Sequence, residues 1–228
     1  MLDAENLHWE KGEQVSRERI QQIALERKIP FLVHFTRAEN VESILQNGLL
    51  PVSVARQRGI DPAINDLERL DGRLNGTSVS LAFPNGQMFF RLRKENPEVN
   101  WVILALSPSV LWSKDVLFCK HNAADVRVSQ VASELLRRPT SFEKMFEEIE
   151  GHESRADQGL KPFDPTDVQG EVLVMEPIEP EFILGALFNS PAVKDSLERH
   201  FGRRKLIVHA GRKGLFANRT YYRKFGGG

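Results

Sequence analysis

A histidine stands beside signals for the start of a helix in VHFTRAENVESILQNGLL, which runs from Val33 to Leu50. Thr36 followed three residues later by Glu39 has the pattern of a capping box. The apolar residues that follow have helical spacing, and Asn47-Gly48 is a typical helix end. The pattern predicts that His34 ends a strand beside a helix N-terminus. Such a corner suits a ligand with hydroxyl and phosphate groups, and it is also an ordinary strand-to-helix connection.

The carboxylate of Glu171, in VQGEVLVMEPIEPEFI, is the second candidate for chemistry. It begins a predicted strand that is otherwise apolar, and alternation places Glu171, Leu173 and Met175 on one face. A glutamate at such a strand end is either an exposed edge residue or a catalytic group that the fold fixes in position. From the residue type alone, the exposed edge residue is favoured.

The third candidate is a cation, Arg69 in LERLDGRLNG. A guanidinium can orient a base or a phosphate, and Asp71 stands close enough in sequence to hold it. Loop arginines are common, so an ordinary surface role is the stronger interpretation of this residue alone.

The charge of the whole chain identifies no partner, because 31 basic and 31 acidic residues cancel. The distribution is more informative, since no acidic residue lies between 201 and 228. Basic residues there include Arg203, Arg204 and Lys205, and aromatic residues follow them. Such a segment can hold a nucleic-acid backbone and stack its bases. A solvated terminal strand and helix explains the pattern equally well.

Several other chemistries find no support in the sequence. It has no P-loop, no G-x-S-x-G and no G-x-G-x-x-G after a strand. The histidines lack metal-ligand spacing, so no metal site is expected. Cys119, the single cysteine, ends an apolar strand and is expected in the core rather than as a nucleophile. With no disulfide framework, no run of about 20 apolar residues and no signal-peptide core, we expect a soluble cytoplasmic protein without a membrane segment.

The elements that must position these residues are read from periodicity. Helices are predicted over 13–27, 37–47, 126–138, 141–149 and 192–201. Strands are predicted at 32–33, 78–83, 102–106, 116–119, 171–175 and 205–209. The segment 51–75 is predicted to be a long loop or short helices, and 153–169 is predicted to be loop. Because strands and helices do not alternate strictly, the order favours an α+β fold in one domain, 1–228, with an N-terminal helical extension over 1–29.

Taken together, VHFTRAENVESILQNGLL, RLDGRLNGTSVSLAFPNGQMFF, VQGEVLV with IEPEFI, and LIVHAGRKGLF resemble the DarT family of DNA ADP-ribosyltransferase toxins. The resemblance extends over about residues 30–216, with four separated motifs in the family's order. The passages RLDG, FPN…MFF and FCKHNAA are most similar to the guanine-modifying branch. The thymine-modifying relatives are close.

The resemblance implies a fold and a nucleotide site. The fold is that of PARP-like and diphtheria-toxin-like transferases, a split mixed sheet with surrounding helices and NAD in a central cleft. His34 is then expected to hydrogen-bond a ribose of NAD, with Thr36, Asn40 and Gly48 lining the same corner. Met88 falls where the family packs the nicotinamide region, and a plain core role for it is equally favoured.

The resemblance also implies catalytic roles. Glu171 matches the glutamate of the family's Q-A-E motif, with Gly170 in place of the usual alanine. A carboxylate there can stabilise the positive charge that develops on the ribose and accept a proton from the attacking base. Arg69 matches the arginine that orients the target base, and Arg73 is the alternative counterpart.

The implied function is NAD-dependent transfer of ADP-ribose to a base of single-stranded DNA, with guanine favoured and thymine the alternative. NAD is the co-substrate and no metal is expected. The implied setting is the bacterial cytoplasm, where the chain acts as a monomeric toxin opposed by an antitoxin with ADP-ribosyl hydrolase activity. Two other functions stay open: a transferase acting on RNA or protein, and a non-catalytic module that binds NAD or ADP-ribose.

Overall fold

A seven-stranded sheet organises the chain in the computed structural model, which describes residues 4–61, 63, 75–209 and 214–226. The strands are β1 (Leu32–Arg37), β2 (Thr77–Leu81), β3 (Trp101–Leu106), β4 (Val116–Cys119), β5 (Glu171–Val174), β6 (Ile183–Phe188) and β7 (Lys205–Val208). Their order across the sheet is β4-β5-β2-β1-β3-β6-β7. Only β6 and β7 run parallel, and the other neighbouring pairs are antiparallel. The predicted α+β class with a mixed sheet is confirmed.

The sheet splits between two of its central strands. β1 and β3 are paired along the whole length of β1, from Leu32 to Arg37. β1 and β2, in contrast, pair only at Leu32 with Leu81 and at Val33 with Ser80. Beyond these pairs the two strands separate, and the space between them opens into a cleft. The split sheet implied by the resemblance is therefore present.

Helices and short turns connect the strands. The α-helices are α1 (Ala4–Glu26), α2 (Val41–Asn47), α3 (Val52–Gln57), α4 (Gly86–Glu95), α5 (Val110–Ser113), α6 (Val126–Ser129), α7 (Ser133–Leu136), α8 (Pro139–Lys144), α9 (Pro191–Phe201) and α10 (Arg219–Phe225). Single 3₁₀ turns lie at Ala38–Asn40, Pro180–Phe182 and Gly214–Phe216. None of the helices in the described segments is long and apolar enough to cross a membrane.

Both faces of the sheet are covered. On one face, Leu32 shares a buried cluster with Ile20 of α1 and Phe142 of α8. On the other face, Val33 packs in a cluster with Phe89 of α4. This alternation along β1 follows from the two-residue period of a strand. Through Ile20 and its neighbours, the predicted N-terminal helical extension packs into the main core.

The structure corrects several predicted elements. The helix expected over 126–138 is two short helices, α6 and α7, and the helix expected over 141–149 is only α8 (Pro139–Lys144). The interior strand β6 and the helices α4 and α5 were not predicted. In α4, Pro84-Asn85 was interpreted as a turn that ends the preceding strand, whereas the Asn85 side chain accepts the Met88 N–H and caps a helix. The dipeptide therefore serves as turn and helix start at once.

The expected corner at His34 is also different. β1 continues to Arg37, so His34 lies in the middle of a strand and not at its end. The capping box at Thr36 and Glu39 is wrong, because neither the 3₁₀ turn nor α2 has a side-chain cap hydrogen bond. The Thr36 hydroxyl instead accepts a hydrogen bond from the Asn40 amide at 3.1 Å. The predicted helix end at Asn47-Gly48 is confirmed.

Candidate active site

A cleft of about 290 Å³ occupies the split between β1 and β2. Six residues predicted to bind NAD or to catalyse transfer line it: His34, Thr36, Asn40, Gly48, Met88 and Glu171. They come from β1, the turn after it, the end of α2, the first turn of α4 and the start of β5. The fold thus brings together residues separated by up to 137 positions, which is the interval from His34 to Glu171.

Glu171 is a buried residue of an interior strand. β5 is hydrogen-bonded to β4 on one side and to β2 on the other, and Glu171 is only 7% exposed. The interpretation of this residue as an exposed edge glutamate is therefore wrong. The Ser78 hydroxyl donates a hydrogen bond to Oε2, and the Ala123 N–H donates to Oε1 at 2.6 Å. Two donors from different segments fix the carboxylate in one orientation at the cleft wall.

Ser78 connects the glutamate to the histidine. Its backbone carbonyl oxygen lies 2.8 Å from His34 Nδ1. Because a carbonyl only accepts, Nδ1 carries the proton, and in the neutral ring Nε2 is then an acceptor. Ser78 was not among the predicted site residues, because the strand was predicted from the apolar residues on its other face. The alternating TSVS pattern was the available signal, because it places Ser78 on the face opposite Val79.

The Asn40 side chain forms two hydrogen bonds to the backbone of Ala63. Its Nδ2 donates to the Ala63 carbonyl at 3.0 Å, and its Oδ1 accepts the Ala63 N–H at 2.9 Å. The same Nδ2 also donates to Thr36. The amide of Asn40 is thus occupied on both sides, and it fixes Ala63, which also lines the cleft.

Gly48 lines the cleft where α2 ends, with a positive φ of 86°. A Cβ at this position would lie 2.5 Å from the Ile178 carbonyl oxygen, because Leu49 and Ile178 form a backbone bridge there. Only glycine fits both the backbone angle and this close approach.

The segment that follows β4 and the segment that precedes β5 are clasped together. His121 and Asp167 form a hydrogen bond between Nδ1 and Oδ2 at 2.7 Å, with both side chains largely buried. A Cβ at Gly170 would lie 3.0 Å from the Lys120 carbonyl oxygen, so the two backbones approach closely there. Ala123, which donates to Glu171, belongs to the first segment. We call this arrangement of 120–123 and 167–170 the loop clasp.

Buried arginines anchor the chain just before the loop clasp. Arg219 of α10 is 3% exposed and donates to the carbonyls of Pro165 and Thr166 at 2.7 and 3.0 Å. Burial lowers the pKa of its guanidinium to about 10, so it stays cationic at neutral pH. Arg223 forms a two-pronged ion pair with Asp164. These contacts tie α10 to the segment that leads to Glu171.

Cys119 lies in the core, and Met88 lies partly in the core and partly at the cleft. Cys119 is fully buried, which confirms its placement in the core. Met88 lines the cleft and also packs against the cluster that contains Phe89. Both interpretations of Met88 therefore describe part of its surroundings.

A model for the family described as "ssDNA thymidine ADP-ribosyltransferase, DarT" matches residues 33–215 of the chain. The chain belongs to the DarT family of ssDNA ADP-ribosyltransferases. The predicted enzyme class is thereby confirmed at the level of the family, while the family description names thymidine rather than guanine. No protein of curated function matches the chain in sequence.

Solved structures of DarT proteins share the fold. A Thermosipho africanus DarTG structure in complex with ADP-ribose aligns with a TM-score of 0.56 and 17% identity, over 82% of this chain and 50% of that chain. Thermus sp. 2.9 DarT in complex with ADP-ribosylated ssDNA aligns with a TM-score of 0.51 and 12% identity, over 80% and 95% of the two chains. The chain thus spans half the length of the DarTG chain. At these identities the likeness establishes the DarT fold alone.

The DarT motif residues Arg69 and Arg73 lie outside the described residues, as does Asp71. The basic residues Arg203, Arg204 and Lys205 are described and do not line the cleft; Arg203 and Arg204 lie in the turn between α9 and β7, and Lys205 begins β7. Arg204 donates to the carbonyls of Pro180, Ile183 and Phe201. Its guanidinium therefore stabilises the turn, while Arg203 and Lys205 are exposed.

Proposed function

We propose that this DarT-family chain transfers ADP-ribose from NAD⁺ to a base of single-stranded DNA. The observation that carries the proposal is the buried carboxylate of Glu171, fixed by Ser78 and Ala123 in the wall of the cleft. A base inside a duplex must be extruded before it reaches such a site, which costs a few kcal/mol, so an unpaired strand is the easier substrate.

The residues of the cleft fit NAD⁺. The polar end, with His34, Ser78 and Glu171, provides hydrogen-bonding groups for ribose hydroxyls. The other walls include apolar side chains such as Ile44 and Leu49, which suit flat rings. Small-molecule sites commonly combine a mainly apolar lining with a few fixed polar groups.

The role of Glu171 follows from its charge and its fixed position. The carboxylate accepts a hydrogen bond from the ribose 2′-hydroxyl and stabilises the positive charge that develops on that ribose as nicotinamide leaves. As the base nitrogen bonds to the ribose carbon, the same carboxylate accepts the proton that the nitrogen loses. Burial strengthens both interactions, because little water screens the charge. Ser78 and Ala123 hold the oxygens where these contacts are made.

In this proposal the other predicted residues bind NAD⁺, shape the cleft or orient the target base. His34 contacts a ribose, with its ring orientation fixed by the Ser78 carbonyl. Asn40 and Thr36 shape the corner, and Asn40 does so by holding Ala63. Gly48 allows the close approach of α2 to Ile178. Arg69, or Arg73 in its place, orients the target base, as the family motif implies.

Guanine is the base that we propose as the target. The support is the likeness of RLDG, FPN…MFF and FCKHNAA to the guanine-modifying branch. The family description names thymidine, so thymine is the alternative base. One relative was solved in complex with ADP-ribose and another in complex with ADP-ribosylated ssDNA, which supports the same substrate class here.

The biological setting is part of the proposal. We propose that the chain acts as a monomeric toxin in the bacterial cytoplasm, without a metal and without a membrane contact. Its partner would be an antitoxin with ADP-ribosyl hydrolase activity, and the likeness to a DarTG chain supports such a pairing.

The experiment is mass spectrometry of short single-stranded oligonucleotides after incubation with the protein and NAD⁺. Each oligonucleotide carries one guanine, thymine, adenine or cytosine in an otherwise constant context. A mass increase of one ADP-ribose on the guanine oligonucleotide alone is expected. Addition to the thymine oligonucleotide would identify thymine as the target, while addition only to RNA or protein would contradict the DNA proposal. Nicotinamide release without any acceptor separates an enzyme from a non-catalytic binding module.

A further inference from the structure

Thr77, the first residue of β2, has a buried hydroxyl with no hydrogen-bond partner among the residues that the structure describes. The residue is 5% exposed and lines the cleft. It is not part of the predicted site, and none of the roles proposed above uses it.

A second threonine in the same cleft shows the contrast. Thr36 is 2% exposed, and its hydroxyl accepts the Asn40 amide. Two buried threonines therefore lie in one cleft, one with a partner and one without. A buried hydroxyl without a partner destabilises a protein, because the water that it loses is not replaced. Valine has nearly the same shape as threonine and avoids this loss, so Thr77 is not the residue that packing alone favours.

The position of Thr77 explains what its hydroxyl can reach. Thr77 pairs with Val174 on β5, and alternation puts it on the sheet face opposite Ser78, the residue that holds Glu171. The strand face that it shares with Val79 continues into the apolar core. Thr77 ends this face and lines the cleft. Its side chain is thus a polar group at the boundary between the apolar core and the nucleotide cleft.

We propose that the Thr77 hydroxyl binds NAD⁺ directly, as a hydrogen-bond partner for a ribose hydroxyl or for the nicotinamide carboxamide. A hydroxyl both donates and accepts, which matches the mixed donor and acceptor character of these groups. The inference rests on the proposed function, and it adds a second residue of β2, next to Ser78, to the binding site.

Two variants separate the hydroxyl from the methyl group. Thr77→Val removes the hydroxyl and keeps the shape, whereas Thr77→Ser keeps the hydroxyl and removes the methyl. Isothermal titration calorimetry with NAD⁺ is expected to show a Kd raised about fivefold to tenfold in Thr77→Val, the change that one neutral hydrogen bond carries. Thr77→Ser is expected to bind within about twofold of the wild type. Without nucleotide, Thr77→Val is expected to melt at the wild-type temperature or above it, because no hydrogen bond is lost.

The outcomes distinguish failure of the role proposed for Thr77 from failure of the proposed function. Wild-type NAD⁺ affinity in Thr77→Val overturns the role of Thr77 and leaves the proposed function standing. A wild-type protein that binds no NAD⁺ overturns both. A Thr77→Val protein that melts well below the wild type identifies Thr77 as a structural residue and also overturns the proposal. A titration with ADP-ribose then locates the contact: equal weakening places it on the ADP-ribose half, and weakening for NAD⁺ alone places it on the nicotinamide half.

Discussion

Oε2 of Glu171 accepts a hydrogen bond from the Ser78 hydroxyl, and Oε1 accepts one from the Ala123 N–H. Glutamine in this position keeps the shape and can still accept the Ala123 N–H through its oxygen while its amide group faces Ser78. The substitution removes the negative charge and keeps these two contacts. We therefore expect Glu171→Gln to lower kcat for ADP-ribose transfer at least about 100-fold, as for other groups that stabilise charge in the transition state. The measurement is initial-rate transfer to an oligonucleotide at saturating NAD⁺.

The control for this variant is NAD⁺ binding, which is expected to stay within a few fold of the wild type because the folded cleft is retained. Near-normal turnover in Glu171→Gln would remove the catalytic assignment. Loss of NAD⁺ binding together with activity would instead give Glu171 a structural role.

His34 makes a ground-state contact in the proposed reaction, so its loss should act on binding. In His34→Ala we expect KM for NAD⁺ to rise about tenfold while kcat changes little, because a ribose contact is present in both the ground state and the transition state. Steady-state kinetics over a range of NAD⁺ concentrations separates the two constants. A collapse of kcat at unchanged KM would show that His34 acts on the chemistry instead.

Arg69 and Arg73 are distinguished by substitution, since they lie outside the described residues. Arg69→Ala should abolish base modification while DNA affinity and NAD⁺ hydrolysis without DNA persist, because the target base is no longer oriented. Arg73→Ala is the matched control, with the same charge removed four positions away. If Arg73→Ala loses modification and Arg69→Ala retains it, the assignment of the two arginines is reversed.

At the scale of elements, the loop clasp places the Ala123 N–H against Glu171. The bond between His121 and Asp167 joins the segment that carries this donor to the segment that leads into β5. We expect Asp167→Ala, which removes the acceptor for His121, to lower kcat about tenfold with a smaller change in KM for NAD⁺, because the Glu171 carboxylate is positioned less well while the His34 side of the cleft is intact. Circular dichroism confirms that the variant is folded.

Substitution of His121 tests the same contact from its other side. Asparagine can still donate to Asp167 from its amide, whereas alanine cannot. His121→Asn is therefore expected to retain more activity than His121→Ala. Equal loss of kcat and of thermal stability in both variants would show that the loop clasp contributes to folding and does not position Glu171.

The elements also show what the sequence could reveal. β3 and β5 were predicted nearly to the residue, because their apolar runs are bounded by turn residues, and the family motifs identified Glu171 and His34. The strand β6 was missed although it lies inside the sheet, between β3 and β7, since ILGALF follows a proline-rich turn and lacks an alternating pattern. The clasp was missed because His121 and Asp167 are 46 positions apart. Contacts of this kind depend on strand order, which local periodicity does not contain.

At the scale of the molecule, the sheet separates the cleft from the basic turn between α9 and β7. From β2 to β7 there are four inter-strand spacings, about 19 Å in all at about 4.8 Å each. A strand that is stacked as in a duplex covers that distance in about six nucleotides, and an extended single strand covers it in fewer. The exposed pair Arg203 and Lys205 can therefore contact only an oligonucleotide that extends well beyond the target base. Arg204 is unsuitable for this substitution, because the loss of its contacts to three carbonyls would alter the turn itself.

The predicted nucleic-acid role of this turn thus depends on oligonucleotide length. Arg203→Gln combined with Lys205→Gln should weaken binding to a 16-nucleotide strand (roughly three times the span above) and flatten its salt dependence by about one to two counterions. Modification of a strand of about two nucleotides should be unchanged, because it does not reach the turn. Lys28→Gln combined with Lys144→Gln removes the same charge from exposed positions near α1 and α8 and serves as the control. Equal weakening on long and short strands, or in both double variants, would show that net charge rather than this turn governs DNA affinity. Wild-type affinity and salt dependence on the long strand would place the DNA path elsewhere on the molecule.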